Sequence, residues 1–315
     1  MGEMTMARIG LIDVDGHNFP NIALMKLSAW HKAQGDCVEW YMPFGDRYDL
    51  VYKSKVFSFS PDFDDHINAD RVVRGGTGYA IDDKGTREVY HPEADTPLAD
   101  EIEHAYPDYS LYPKLTKDTA YGFLTRGCPR GCSFCIVGKK EGLCSRKVAD
   151  LTEFWRGQRK VVLCDPNILA CRDWRSLLQQ LIDAGVKVDF NQGLDIRMMT
   201  EEKAEMIGRT RIKEIYFAWD RYTDGEFVLP KLRMFAEVTK QKPRSHSAIV
   251  YTLVNFDTTF EQDLDRIYTL RDMGYWPYVM IYDKARTAQQ YKRLQRWVNN
   301  RFIFAKCKTF DEYGR

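Results

Sequence analysis

The sequence reads as an α/β chain in two blocks: a small Rossmann-like N-terminal domain, then a partial (β/α)6 barrel. Two observations predict this. Near the start, an apolar strand signal over 8–15 runs through a turn into a helical pattern ending at a glycine. From residue 119 onward, six strand signals alternate with helical patterns at spacings of roughly 25–40 residues, the rhythm of parallel βα units. The expected divisions are an α/β domain over 1–81, a linker over 82–118, a core over 119–285, and a C-terminal helix and tail over 286–315.

In the first block, Arg8-Ile-Gly-Leu-Ile-Asp-Val-Asp15 predicts a buried strand. His17-Asn-Phe-Pro20 is a turn, with Pro20 placed to open a helix. Ile22, Met25, Ala29 and Ala33 recur near helical spacing, and Gly35 suits the position after a helix end. Strands are expected at 38–41, 50–57 and 71–74, so the gap 41–50 is too short for a crossover helix. Residues 82–118 carry Pro92, Pro97, Pro107 and Pro113 among many acids, which predicts a linker packed on the surface.

In the second block the expected strands are 121–125, 161–164, 186–190, 214–218, 248–254 and 278–282. Trp174, Leu177, Leu178, Leu181 and Ile182 form one helical face that stops at Gly185. Thr258 and Thr259 stand at capping-box spacing before Glu261 and Gln262. A last helix over 286–298 interleaves Arg and Lys with Tyr291, Leu294, Trp297 and Val298.

The 315 residues are 44% hydrophobic and 29% charged, which is ordinary globular composition. With a formal net charge of +1, no polycationic field indicates nucleic acid. No apolar run is long enough to span a bilayer, and the first residues do not read as a signal peptide. The cytoplasm is the expected compartment. There, the eight cysteines, Cys37, Cys128, Cys132, Cys135, Cys144, Cys164, Cys171 and Cys307, point to metal or redox chemistry rather than disulfides.

Three of them share one short segment, Cys128-Pro-Arg-Gly-Cys132-Ser-Phe-Cys135, directly after an expected strand. Three thiolates can hold three irons of a cubane and leave the fourth iron open, where a four-cysteine ferredoxin set would not. Gly127 and Gly131 allow sharp turns around it. A zinc site completed by Cys144 is the alternative, although zinc sites more often pair two closely spaced clips.

This segment, including the aromatic Phe134 before the last cysteine, resembles the signature of the radical S-adenosylmethionine (radical SAM) superfamily. The resemblance covers roughly residues 119–285 and implies a radical SAM barrel. It implies a [4Fe-4S] cluster on Cys128, Cys132 and Cys135, with SAM chelated at the open iron. It also implies reductive cleavage of SAM to a 5′-deoxyadenosyl radical, with electrons from a donor such as flavodoxin or ferredoxin. Phe134 is expected near the adenine. Leu163-Cys-Asp-Pro-Asn167 takes the place of the superfamily's Gly-Gly-Glu segment with different letters, so Asp165 or Asn167 is expected to receive the methionyl amine. Gln192, Asp195, Arg197 and Asn255, at later strand ends, are candidate partners for the ribose or carboxylate. Each equally suits a helix cap or strand-end turn, since Asp and Asn favour such positions. Cys144, Cys164, Cys171 and Cys307 are scattered, which suits buried inert thiols better than an auxiliary cluster.

The first block resembles the cobalamin-binding domain that precedes the radical core in one branch of that superfamily. The resemblance rests on the 9–15 strand and on Val72-Val-Arg-Gly-Gly-Thr-Gly-Tyr79. Gly75, Gly76 and Gly78 would let a backbone approach a ligand closely. The Asp-x-His-x-x-Gly motif is absent, since Asp15-Gly16-His17 matches it only in part. A degenerate domain without cobalamin is therefore expected, with His17 as a turn residue. The substrate is not legible. Three alternatives stand beside the leading reading: a cobalamin-dependent methyltransferase, a tRNA methylthiotransferase-like enzyme, and a non-catalytic cluster-containing binding protein. The second would be expected to carry three cluster cysteines in the first block, where only Cys37 lies, and to end in a small β-barrel. The third rests on the basic face of the last helix, which solvation explains as well.

Overall fold

Ile9-Gly-Leu-Ile12 lacks the polar alternation of a half-exposed strand, and a strand with both faces covered belongs inside a parallel sheet. The computed structural model describes residues 6–83, 88–240 and 247–314. In it, β1 (Arg8–Asp13) pairs in parallel with β2 (Cys37–Trp40) on one side and β3 (Tyr48–Ser54) on the other. β4 (Ala69–Gly75) pairs in parallel with β3, giving the order β2-β1-β3-β4. Between β1 and β2, α1 (Ile22–Gln34) starts where the Asn21 side chain accepts the Leu24 N–H, and it ends at Gly35, φ 91°. Pro20 precedes that cap instead of opening the helix. As the short gap predicts, β2 passes to β3 without a helix, and so does β3 to β4.

The chain divides into two compact units. The first comprises Met1–Gly122, Arg130–Gly142 and Ala149–Val161; the second comprises Phe123–Pro129, Leu143–Val148 and Val162–Arg315. Residues 82–118 fall within the first of these. A hairpin of β5 (Ile81–Asp83) and β6 (Glu88–Tyr90) is followed by two one-turn helices, α2 (Asp100–Glu103) and α3 (Pro113–Thr116). Ile102, Leu111 and Tyr112 are buried in one cluster with Ile9, Leu11, Leu24 and Met25. The prolines make this backbone irregular without detaching it, because the apolar residues between them complete the cover over β1 and α1.

The six strand signals of the second block are all occupied. They are β7 (Thr119–Gly122), β10 (Lys160–Leu163), β11 (Lys187–Phe190), β13 (Ile215–Ala218), β14 (Ala248–Val254) and β15 (Trp276–Ile281). Two-residue strands β8 (Thr125–Arg126) and β9 (Arg146–Lys147) pair antiparallel beside the cysteine segment, and β12 (Arg211–Ile212) follows β11. Between these strands run α4 (Val137–Lys140), α5 (Trp174–Ala184), α6 (Glu201–Arg209), α7 (Gly225–Val238) and α8 (Phe260–Asp272). Leu177, Leu178 and Leu181 of α5 are fully buried, and α8 carries the Thr259–Gln262 capping box in full.

One expectation needs correction. The strands form two sheets, β12-β11-β10-β7 and β13-β14-β15, instead of a single curling one. The reason is local: β12 pairs with Lys187 and Val188 of β11 and so takes the edge that β13 would have used. The sheets still meet through one backbone hydrogen bond, Leu194 N–H to the Tyr216 carbonyl at 2.7 Å. Gly193, φ 81°, makes that approach, and a Cβ there would stand 3.1 Å from the same carbonyl oxygen.

The C-terminal region is more than a basic tail. In α9 (Gln289–Asn299), Tyr291, Leu294, Trp297 and Val298 are buried with Ile249 and Val279, while Lys292, Arg293 and Arg296 face solvent. Asn299 pairs with both backbone groups of Val279, so the edge of β15 is covered by side-chain hydrogen bonds. Among the described residues, no helix is long and apolar enough to cross a membrane.

Candidate functional site

Polar side chains gather where β10, β11 and β13 end, the edge at which parallel sheets present their functional loops. The second unit also holds the first part of the cysteine segment, Phe123–Pro129. Its conformation is set by Asp165, which follows β10. Both oxygens of this buried carboxylate accept the Leu124 N–H at 3.1 Å, and Oδ1 also accepts the Thr125 N–H and hydroxyl at 2.5 and 2.7 Å. Burial pushes its pKa up to about 6, against the pull of those donors. Asp165 is thus spent on holding the chain that leads to Cys128. Of its acceptor positions, Oδ1 carries three donors, and Oδ2 carries only the Leu124 N–H.

Asn167 differs. It is 2% exposed, and its Nδ2 donates to the Cys128 Sγ at 3.5 Å and to Asp195 Oδ2 at 3.2 Å. Its backbone is fixed by the Ser145 hydroxyl, which donates to the Asn167 carbonyl at 2.8 Å. Its Oδ1 is buried and has no hydrogen-bond partner among the described residues. A buried acceptor left unmade costs about 1–3 kcal/mol, which a bound donor would recover. The structure therefore brings Asn167, Asp195 and Cys128 together.

Asp195, after β11, accepts from the Arg197 N–H, from the Arg197 Nε at 2.8 Å and from the Asn167 amide. Arg197 in turn donates from Nη1 to Asp224 Oδ2 at 2.9 Å. Burial works against the Arg197 guanidinium, but Asp195 and Asp224 together hold its pKa above the usual value. With two carboxylates already on it, Arg197 orients Asp195 more directly than it offers charge to a ligand. Asp220, at the end of β13, lies in the same electrostatic neighbourhood, and burial pushes its carboxyl up to about 6.

Other expected residues fall elsewhere or do other work. Gln192 is exposed in the turn after β11. Asn255, at φ 60°, donates its N–H to Asp263 and its side-chain amide to Thr287, and so closes the β14 end. The left-handed backbone, where Asn is favoured, explains the residue type there. Cys132 and Cys135 lie in the first unit on a single turn, with the Cys135 N–H on the Cys132 carbonyl at 3.0 Å, and Phe134 between them is half-buried. The helix α4 that follows is tied within that unit by Lys140, which donates to Thr77 and pairs with Asp95 at 3.4 Å.

Gly76 and Gly78 also have a structural task. A Cβ on Gly76 would stand 2.3 Å from the Lys55 carbonyl oxygen, and one on Gly78 would stand 2.8 Å from that of Phe57. The close approach they permit is to the chain after β3. His17 is exposed and packs tilted against Trp40, ring centroids 4.2 Å apart, with Tyr112 edge-on. Cys164 and Cys171 are buried, and burial pushes the Cys164 thiol up to about 12, which keeps it protonated and inert.

Sequence reasoning gave no role to the buried pair Arg266–Asp263, both fully enclosed. From α8, Arg266 donates to the Trp219, Asp220 and Leu253 carbonyls and so ties the ends of β13 and β14. Its signal was present as an acid and a base three apart on one helix face. Ser145 and Thr125 carried no pattern at all.

Among the described residues, no group of three or more His, Cys, Asp or Glu side chains converges as a single metal ion would require. A cubane spreads its thiolates over different irons and does not ask for that convergence. The donor chemistry at Cys128 fits it: a half-exposed thiol with an amide N–H on its sulfur and an unpartnered buried acceptor on the same amide.

No family model matches the chain, and no curated protein matches it. Among solved structures, it is similar to a radical S-adenosylmethionine methyltransferase, TsrM, from Kitasatospora setae, determined with cobalamin and a [4Fe-4S] cluster bound. The two are 11% identical with a TM-score of 0.60, over 88% of this chain and 75% of that one. At that identity the likeness is one of fold. Neither unit alone supplies 88% of the chain, so the match takes in parts of both.

Proposed function

We propose that this protein is a radical SAM enzyme: a [4Fe-4S] cluster on Cys128, Cys132 and Cys135, with SAM at the open iron. The observation that carries the reading is Asn167, whose amide spans the Cys128 sulfur on one side and a buried, unpartnered acceptor on the other. An α-ammonium group is the donor that such an acceptor suits, and the methionyl end of SAM supplies one. When bound and reduced, the cluster supplies the electron that splits the sulfonium C–S bond to give methionine and a 5′-deoxyadenosyl radical. This chain's residues do the rest. Asp165 holds the strand end that presents Cys128, Asp195 orients the Asn167 amide, and Arg197 and Asp224 hold Asp195. A small carrier such as flavodoxin or ferredoxin would deliver the electron, in a reducing compartment such as the cytoplasm that keeps the thiols free.

Anaerobic reconstitution tests this. The wild type should take up about four irons per chain, the content of one cubane. On reduction with SAM it should form 5′-deoxyadenosine. Replacing Cys128, Cys132 and Cys135 together by Ala should remove both. A triple variant that keeps its full iron content would refute the assignment.

A second reading has one specific support. The matched structure holds cobalamin, and the similarity extends into the N-terminal unit, whose sheet is parallel in the order β2-β1-β3-β4. On that reading the reaction is methyl transfer, and bound corrin would distinguish it.

A further inference from the structure

We infer that Asn167 tunes the reduction potential of the cluster and couples that potential to ligand binding. This rests on the reading above and extends it to the regulation of the same site.

The amide of Asn167 has a single sensible orientation. Asp195 Oδ2 is a carboxylate oxygen and accepts only, and a thiolate at Cys128 accepts only. Both lie against Nδ2, at 3.2 and 3.5 Å, so both amide protons are committed. Oδ1 must then point the other way, where it is buried without a partner. Arg197 and Asp224 brace Asp195, so the amide does not rotate freely.

Two consequences follow from charge alone. A hydrogen bond to a cluster thiolate favours the more electron-rich, reduced state and raises the potential. A cationic donor arriving at Oδ1 polarises the amide and strengthens its N–H donation to sulfur, because hydrogen bonds in series reinforce one another. Ligand binding therefore raises the potential further, and by linkage the reduced protein binds the ligand more tightly. The device admits the electron preferentially once SAM is in place. The added electron comes from the external carrier and no proton moves: the thiolate and carboxylate stay unprotonated, and the amide keeps both N–H protons.

The test is a redox titration of the reconstituted cluster followed by electron paramagnetic resonance, with and without SAM, alongside SAM affinity by calorimetry. In Asn167→Leu, which loses donor and acceptor, the reduction equilibrium constant should fall about tenfold, which is ~59 mV for one electron. SAM affinity should fall, and the SAM-dependent shift should vanish. Asn167→Asp keeps the oxygens but has no amide proton, so its potential should fall while SAM affinity is retained. Wild-type potentials in both variants, or an undiminished SAM-dependent shift in Asn167→Leu, would overturn the inference. So would a folded variant that assembles no cluster, which would make Asn167 a structural residue. If the wild type itself binds no iron, the proposed function fails instead, and iron analysis separates the two cases.

Discussion

At the scale of single residues, Asp220 makes the sharpest prediction. Its carboxyl forms no hydrogen bond among the described residues, and burial outweighs the pull of Arg197 and Arg266 to bring its pKa to about 6. A carboxyl whose folded pKa is raised stabilises the fold fully below its unfolded pKa. That contribution is lost as pH rises through the folded value. Stability from Asp220 should thus decline between about pH 4 and pH 6. Asp220→Asn removes the titration, so the variant should be more stable than wild type at pH 7.5 by about 1–3 kcal/mol. The difference should shrink towards pH 4. Urea denaturation at both pH values reads it, and a variant less stable at pH 7.5 would contradict the account. Asp165 shares the direction of shift but not the outcome. Three donor groups, the Leu124 N–H and the Thr125 N–H and hydroxyl, depend on its oxygens and would be left unpaired by its removal.

At the scale of elements, the turn after β4 and the outer edge of β15 show how side-chain choice fixes backbone. Gly76 sits at φ 98° with the Lys55 carbonyl oxygen where a Cβ would go. Gly76→Ala would require either the turn or the chain after β3 to move. The first unit should lose about 1–3 kcal/mol, the range for strain at a special backbone position. Thermal unfolding would show it, and an unchanged midpoint would mean that this contact is not rigid. At β15 the edge is protected by one residue of the helix that follows. Asn299→Ala leaves the Val279 N–H without its partner and removes one of the two donors on its carbonyl. A loss of about 1–3 kcal/mol is expected, and amide exchange at Val279 should accelerate. The rest of the α9 contact, built on Leu294, Trp297 and Val298, should hold the helix in place.

At the scale of the whole chain, the question is which cofactors it carries. The likeness to a cobalamin-bound structure reaches both units, while several features that suggested a corrin site have structural partners in the first unit. Gly76 and Gly78 pack on the Lys55 and Phe57 backbone, His17 packs against Trp40, and β2 joins β3 without a helix. A large planar ligand is held by loops at several strand ends, and here the turn after β4 packs on the chain after β3. Protein expressed with abundant cobalamin uptake should therefore lack corrin absorption bands after purification. Stoichiometric corrin in that preparation would make methyl transfer the leading reaction.

Alternation of strand and helix signals, the glycine after α1 and the Thr259–Gln262 box were legible because each is a local rule, with its cause inside a few residues. The C-x3-C-x2-C segment is likewise a local pattern, and the cluster proposed for it rests on that spacing. What only the tertiary structure decided is which polar residue at a strand end is spent and which is free. Asp165 and Asn167 stand two apart in one loop and looked interchangeable. Folding put backbone N–H groups against the first and left an acceptor of the second unpaired. Likewise, the prolines of 82–118 announced irregular chain packed on the surface, but the partners, Ile102, Leu111 and Tyr112 meeting β1 and α1, came only with the fold. Burial and hydrogen-bond satisfaction depend on partners distant in sequence, so no local pattern encodes them.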